Sequence, residues 1–249
     1  MTILFFSATG NSLYVAKRLG GQRYSIPKLL KQGKFEFEDD KIGIVYPTNY
    51  MSVPKIVREF LSKATLKSDY IFAVSTTGHP FGPASKRIME LGKEVGICFA
   101  YSVEIGMVDN YLPGFDMDKE LKKLPSRNVE QRIDKVIKDI SECKVYIQKP
   151  PAVFSLLLKA ANADNIKRGN FSDKFSVNSS CNNCGICAKV CPVDNIEMLE
   201  KPVFGNACVS CHACVQHCPK EAIRIKNEKG TKRYVNENVT TKEIIEAND

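Results

Sequence analysis

Between Cys181 and Cys218 the chain reads CNNCGICAKVCP, a short bridge, then CVSCHACVQHCP. Both blocks are Cys-x2-Cys-x2-Cys-x3-Cys-Pro. One constant offset carries Cys181 onto Cys208, Cys184 onto Cys211, Cys187 onto Cys214, Cys191 onto Cys218 and Pro192 onto Pro219. The offset continues past the cysteines, taking Ile196 onto Ile223 and Met198 onto Ile225. This is an internal repeat, and it predicts two similar halves packed about a pseudo-twofold axis. A 4Fe–4S cube needs four thiolates at its corners, and two-residue gaps wind three cysteines around one cube. The fourth lies too far round to reach it and ligates the neighbouring cube instead. On that rule Cys181, Cys184, Cys187 and Cys218 hold one cube, while Cys208, Cys211, Cys214 and Cys191 hold the other. The trailing prolines turn the chain away and remove an amide donor, and Gly185 lets backbone pass close to a bulky inorganic core. Two zinc sites would use Cys-x2-Cys pairs separated by long gaps. A secreted disulfide framework is not expected, because nothing resembling a signal peptide precedes the first strand.

With all eight ligand positions filled, residues of about 176–226 resemble a bacterial-type two-cluster ferredoxin. Such a module needs only about 50–60 residues, so a chain of 249 implies a second domain. Apolar content of 43% and charged content of 26% suit a globular protein. No apolar run approaches the roughly 20 residues of a membrane span, and FSLLLKAA at Phe154–Ala161 is too short. The formal charge of +8 suggests nucleic acid until cofactors are counted. Two oxidised cubes with their thiolates and a flavin phosphate would cancel most of it, so no nucleic-acid partner is expected. The loaded cysteine-rich part would then be anionic and the first part cationic, which predicts electrostatic attraction between them.

The chain opens with TILFF at Thr2–Phe6, a continuous apolar run that reads as a strand buried on both faces of a parallel sheet. It leads into Ser7-Ala8-Thr9-Gly10-Asn11-Ser12 and a helix ended by Gly20 and Gly21. Amides at a helix N-terminus favour an anion, and the hydroxyls of Ser7, Thr9 and Ser12 add donors. The loop has no Lys, unlike a Walker A loop, and no GxGxxG, unlike a dinucleotide loop. A hydroxyl-rich loop without a cation suits a terminal phosphate monoester such as that of FMN. SATGNS resembles the phosphate loop of flavodoxins, and the resemblance extends over about 1–148.

Alternation then continues through strands at Gln22–Ile26, Lys41–Tyr46, Tyr70–Thr76 and Ile97–Ile105, with helices at Val53–Lys63, Pro83–Val95 and Val129–Ile147. This predicts an α/β fold, a flavodoxin-like doubly wound parallel five-stranded sheet of order 2-1-3-4-5, with a smaller α+β ferredoxin domain. Ligands of such sheets bind beyond the carboxyl ends of the strands at the switch point. The expected flavin contacts are Ser7, Thr9, Gly10, Asn11 and Ser12; Thr48, Asn49 and Tyr50 from the loop PTNYMS; and Thr77, Gly78, His79, Phe81 and Gly82 from TTGHPFG. Tyr50 and Phe81 are candidates to stack on the isoalloxazine; for both, ordinary surface packing is the competing reading. For His79 it is a solvated loop position. Asp109–Pro113 reads as a structural turn, with contact to flavin or the second domain as the alternative, Cys98 and Cys143 read as buried thiols, and His212 and His217 as residues that tune cluster potential.

The expected organisation is 1–149 flavodoxin-like, 150–175 linker with a short helix, 176–228 ferredoxin, and 229–249 a polar tail with a capping box from Thr240 to Glu243. The whole chain resembles the flavodoxin–ferredoxin fusion proteins of anaerobes. That resemblance implies two 4Fe–4S clusters, FMN, protein redox partners, a cytoplasmic setting and electron transfer between clusters and flavin. The alternative is an FMN-dependent reductase of a quinone or nitro compound with the clusters as a wire. No proton-transfer dyad or nucleophile is evident, so no catalytic residue is assigned.

Overall fold

The computed structural model describes residues 1–151 and 171–249. The linker helix expected at Phe154–Ala161 lies outside them.

The opening apolar run forms β1 (Thr2–Phe5), buried along its whole length. It is flanked in parallel by β2 (Gln22–Ser25) and by Lys41–Pro47, numbered β4 after the short β3 (Glu36–Glu38). A further short strand, β5 (Thr65–Lys67), pairs only with β3. The main sheet continues through β6 (Tyr70–Thr77), β7 (Tyr101–Gly106) and β8 (Tyr146–Ile147). Its order is β2-β1-β4-β6-β7-β8 with every pairing parallel. The first five positions are the expected doubly wound order, and β8 is an addition. Helices α1 (Asn11–Leu19), α2 (Ile26–Gln32), α3 (Lys55–Leu61), α4 (Pro83–Val95), α5 (Met117–Lys123) and α6 (Val129–Ser141) connect and cover the strands. Two apolar cores, one per sheet face, bury Ile3, Phe72 and Ile133 on one side and Leu4, Ile44 and Phe60 on the other. Each such side chain contributes about 1.5–3 kcal/mol. Gly43 permits this packing, since a Cβ there would sit 2.3 Å from the Phe72 ring.

Two sequence expectations are corrected here. The strand expected from Ile97 starts only at Tyr101. Ile97 and Phe99 are apolar because they pack under α4 in the core, outside the ladder, and Cys98 between them is exposed rather than buried. The helix expected to run to Ile147 stops at Ser141. Cys143 then takes a left-handed φ of 49°, which no helix continues through, and is exposed. Tyr146 and Ile147 join the sheet edge instead.

The cysteine-rich part repeats its backbone as well as its sequence. Helix Ile186–Lys189 corresponds to Ala213–Gln216 under the cysteine offset. Asn183 and Ser210 (φ 55° and 57°), and Asp194 and Glu221 (φ 49° and 47°), are matching left-handed pairs. Antiparallel pairs Ile196–Met198 with Pro202–Phe204, and Phe175–Val177 with Ile223–Ile225, flank the two halves. A third apolar core joins Cys187, Cys214 and Ile223 to Val108, Leu112 and Met117 of the first domain. The C-terminal helix Thr241–Asn248 opens with the expected capping box between Thr240 and Glu243. It docks on the first domain through Lys17 to Glu243 at 2.7 Å and on the cysteine-rich part through Asn248 Nδ2 to the Val190 carbonyl at 2.9 Å. Among the described residues no helix is long and apolar enough to cross a membrane.

Candidate functional site

Cysteines of the two blocks pack next to one another. A small, mainly apolar cavity is lined by Cys191 from the first block together with Cys208, Cys211 and Cys214 from the second. Cys187 has Cys218 of the second block and Cys184 of its own block as neighbours. Burial pushes the Cys187 thiol up to about 11, and burial likewise raises Cys208, Cys211 and Cys214, with neighbouring thiols adding to the effect. Thiols packed this way resist ionisation unless a cationic core takes the thiolates, which is what an iron–sulfur cube offers. Backbone amides already point at three sulfurs: Asn195 N–H at Cys191 (3.3 Å), Ala222 N–H at Cys218 (3.2 Å) and Ser210 N–H at Cys208 (3.4 Å). The first two are equivalent under the repeat, and such donors stabilise sulfur-borne charge. The donor set therefore fits two cubes. Among the described residues no three His, Cys, Asp or Glu side chains close around a single metal ion.

A second cavity, of about 530 Å³, opens at the carboxyl ends of the parallel strands, where the sheet order reverses beside β1. It gathers Ser7, Thr9, Asn11 and Ser12, then Thr48, Asn49 and Tyr50, then Thr77, Gly78, His79 and Phe81. Three loops distant in sequence thus meet at one site. Gly10 and Gly82 stand outside its wall. Gly10 has φ 96°, and a Cβ there would sit 2.9 Å from Asn236 and Val239. Gly82 caps α4 and donates its N–H to buried Glu104 at 2.7 Å.

Each member of the first loop has a separable task. Asn11 is buried and its side chain is fully engaged: Oδ1 accepts from Tyr234 O–H (2.7 Å) and Asn236 Nδ2 (3.1 Å), while Nδ2 donates to the Val108 carbonyl (3.4 Å). Asn11 anchors the loop. Thr9 accepts at its hydroxyl from Asn110, and its carbonyl accepts from Asn236 N–H at 2.8 Å. Ser12 shares a hydrogen bond with Thr76 at 2.8 Å. Ser7 Oγ is buried without a hydrogen-bond partner among the described residues. A buried hydroxyl in that state costs free energy until a ligand satisfies it. An anion at this turn would do so, which fits the phosphate of FMN.

Aromatic rings line the rest. His79 stacks on Phe81, with ring centroids 5.8 Å apart, and touches Phe115, while remaining exposed to solvent as expected of its loop position. Tyr50 meets Tyr111 edge-on at 5.7 Å. Tyr111 stacks on His212 at 5.5 Å, and Phe171 stacks on His212 at 5.2 Å. Tyr111 belongs to the Asp109–Pro113 turn, for which contact with flavin or the second domain is the alternative to a structural role, and the turn does line the cavity. Asp109 also lines the cavity, with its carboxyl raised by burial. His212 is buried and pushed down to about 4 by that burial and by nearby Lys174 and Arg233, so it is neutral at ordinary pH.

The two cavities share a wall. Val209, Cys211 and His212 line both the four-cysteine cavity and the larger one.

Against known families, residues 180–223 match the 4Fe-4S dicluster domain, a span well short of half the chain. No curated protein matches the chain. Among solved structures, a candidate flavoprotein from Bacteroides eggerthii is 18% identical over 43% of this chain and 89% of its own, with a TM-score of 0.34. The azoreductase AzrA is 12% identical over 57% and 100%, with a TM-score of 0.37. An FMN-dependent NADH-azoreductase from Bacillus anthracis, solved with FMN, is 8% identical over 56% and 98%, with a TM-score of 0.33. Likeness this low carries no argument about the present chain. The dicluster match and the chain's own parallel sheet together give an iron–sulfur domain joined to a flavodoxin-like domain.

Proposed function

We propose that this chain is a cytoplasmic electron-transfer protein that exchanges electrons between two 4Fe–4S clusters and FMN, in the manner of the flavodoxin–ferredoxin fusions it resembles. When bound, the cubes would exchange single electrons and the flavin would exchange one or two, which makes the pair a converter between the two kinds of carrier. Cys181, Cys184, Cys187 and Cys218 hold the outer cube, and Cys191, Cys208, Cys211 and Cys214 the inner one. The turn from Ser7 to Ser12 takes the phosphate, and Tyr50, His79, Phe81 and Tyr111 enclose the ring system. The observation that carries this reading is the shared wall at Cys211, a cube ligand that also borders the flavin cavity.

Protein purified without oxygen and assayed for iron, sulfide and flavin, then titrated potentiometrically with visible and EPR detection, tests it. Two cube signals with one FMN per chain support the reading. Iron without flavin would reduce the first domain to a scaffold.

One feature favours the alternative, an FMN-dependent reductase of a small acceptor. Met51 and Phe81, beside the larger cavity, are 56% and 40% exposed, leaving apolar surface at its mouth for a planar substrate. Turnover of quinones or nitro compounds with the clusters as the electron source would decide for it.

A further inference from the structure

The cysteine repeat has one informative mismatch. Gly185 opens the first short helix with φ 73°, and the equivalent position in the second half is His212, with φ 62°. A left-handed conformation is strained for a residue with a Cβ. The first half shows that glycine serves this turn, so the histidine side chain must be the reason for its presence.

Its surroundings narrow that reason. The ring is 3% exposed, held between Tyr111 and Phe171, and it borders both the four-cysteine cavity and the larger cavity. Nε2 has no hydrogen-bond partner among the described residues. A buried ring nitrogen kept at a strained position without a partner is held for a ligand.

We propose that His212 is a direct contact between the cluster domain and the isoalloxazine ring, its Nε2–H donating to an acceptor atom on the ring edge. This deepens the FMN reading above and rests on it. The contact is to the ring and not to the phosphate, so FMN and riboflavin gain from it equally. It makes flavin affinity depend on a residue that lies beside a cube ligand.

The test uses two variants of the full chain, loaded anaerobically with clusters. His212→Gly gives the second half the residue already proven in the first, and His212→Phe keeps the stack while removing the nitrogen. Binding of FMN and of riboflavin is followed by flavin fluorescence quenching, alongside iron and sulfide content. Both variants should keep full cluster content and bind both flavins about 10-fold more weakly, the loss of one good buried hydrogen bond. If His212→Phe binds both flavins as tightly as the parent chain, or loses affinity only for FMN, the proposal is overturned. A shift confined to cluster potentials, with flavin affinity unchanged, would place the nitrogen on a cube sulfide and overturn it too. A parent chain that binds neither flavin would instead overturn the FMN reading.

Discussion

His217 Nε2 lies 2.9 Å from the carbonyl oxygen of Ala8, joining the residue beside Cys218 to the centre of the Ser7–Ser12 turn. Its Nδ1 shares a hydrogen bond with Thr241 Oγ1 at 3.0 Å, so one buried ring ties three segments together. Burial lowers its pKa, and the neutral ring uses both nitrogens. Replacing His217 by Phe strands the Ala8 carbonyl and should cost about 1–3 kcal/mol. Chemical unfolding of the cluster-loaded protein measures it; an unchanged midpoint would mean the bridge is incidental.

The Ser7–Ser12 turn is braced from the far end of the chain. Tyr234 and Asn236 hold Asn11 and Thr9, although both lie beyond the second cysteine block. Tyr234→Phe removes a single hydroxyl and should weaken FMN several-fold while leaving riboflavin, which has no phosphate, unaffected. Equal losses for the two flavins would show that Tyr234 acts on the fold at large.

Ser7 gives the complementary result. Its unpartnered hydroxyl burdens the flavin-free protein, so Ser7→Ala should leave that form equally or slightly more stable and weaken FMN by up to about 10-fold. Melting temperatures with and without FMN check both halves of the statement. A variant that binds FMN normally would remove Ser7 from the phosphate site.

The proposed crossed ligation predicts which cysteine variants resemble each other. Cys218→Ser and Cys181→Ser should each lose about half the iron and leave the same surviving EPR signal. Cys191→Ser should resemble Cys208→Ser instead. Pairing by sequence block, with Cys191 resembling Cys181, would contradict the assignment.

Asp139 supplies a pH-dependent contribution to stability. Burial raises its carboxyl, but hydrogen bonds from Lys135 (2.8 Å), Lys144 (3.0 Å) and Tyr101 (3.0 Å) outweigh that and hold it below the usual carboxylate range. A depressed folded value means stability present above the unfolded value of about 3.9 and lost as pH falls through the folded one. Both lysines are well exposed, so the solvent-screened contribution is about 0.5–1 kcal/mol. Asp139→Asn should lower the urea midpoint near neutral pH, with the difference shrinking in acid. A difference constant with pH would show that charge is not involved.

What the sequence made legible was local. The two cysteine blocks carry their chemistry in their spacing, so the dicluster region was readable without a fold. Ile97 and Ile147 misled because apolar character reports burial, not whether a residue sits in a ladder or beneath a helix. Tyr234 and Asn236 were illegible because their roles exist only where distant segments meet. The Gly185 to His212 exchange was present in the repeat, but only the left-handed φ at both positions gives it meaning.

The central claim is that cube and flavin sites share a wall, so electrons cross within one chain. Rapid mixing of anaerobic, fully loaded protein with a reductant that enters through the clusters, followed at flavin wavelengths over a range of protein concentrations, tests it most directly. The account predicts a first-order flavin reduction rate independent of protein concentration. A rate proportional to protein concentration, as expected for electrons passing between separate molecules, would contradict it.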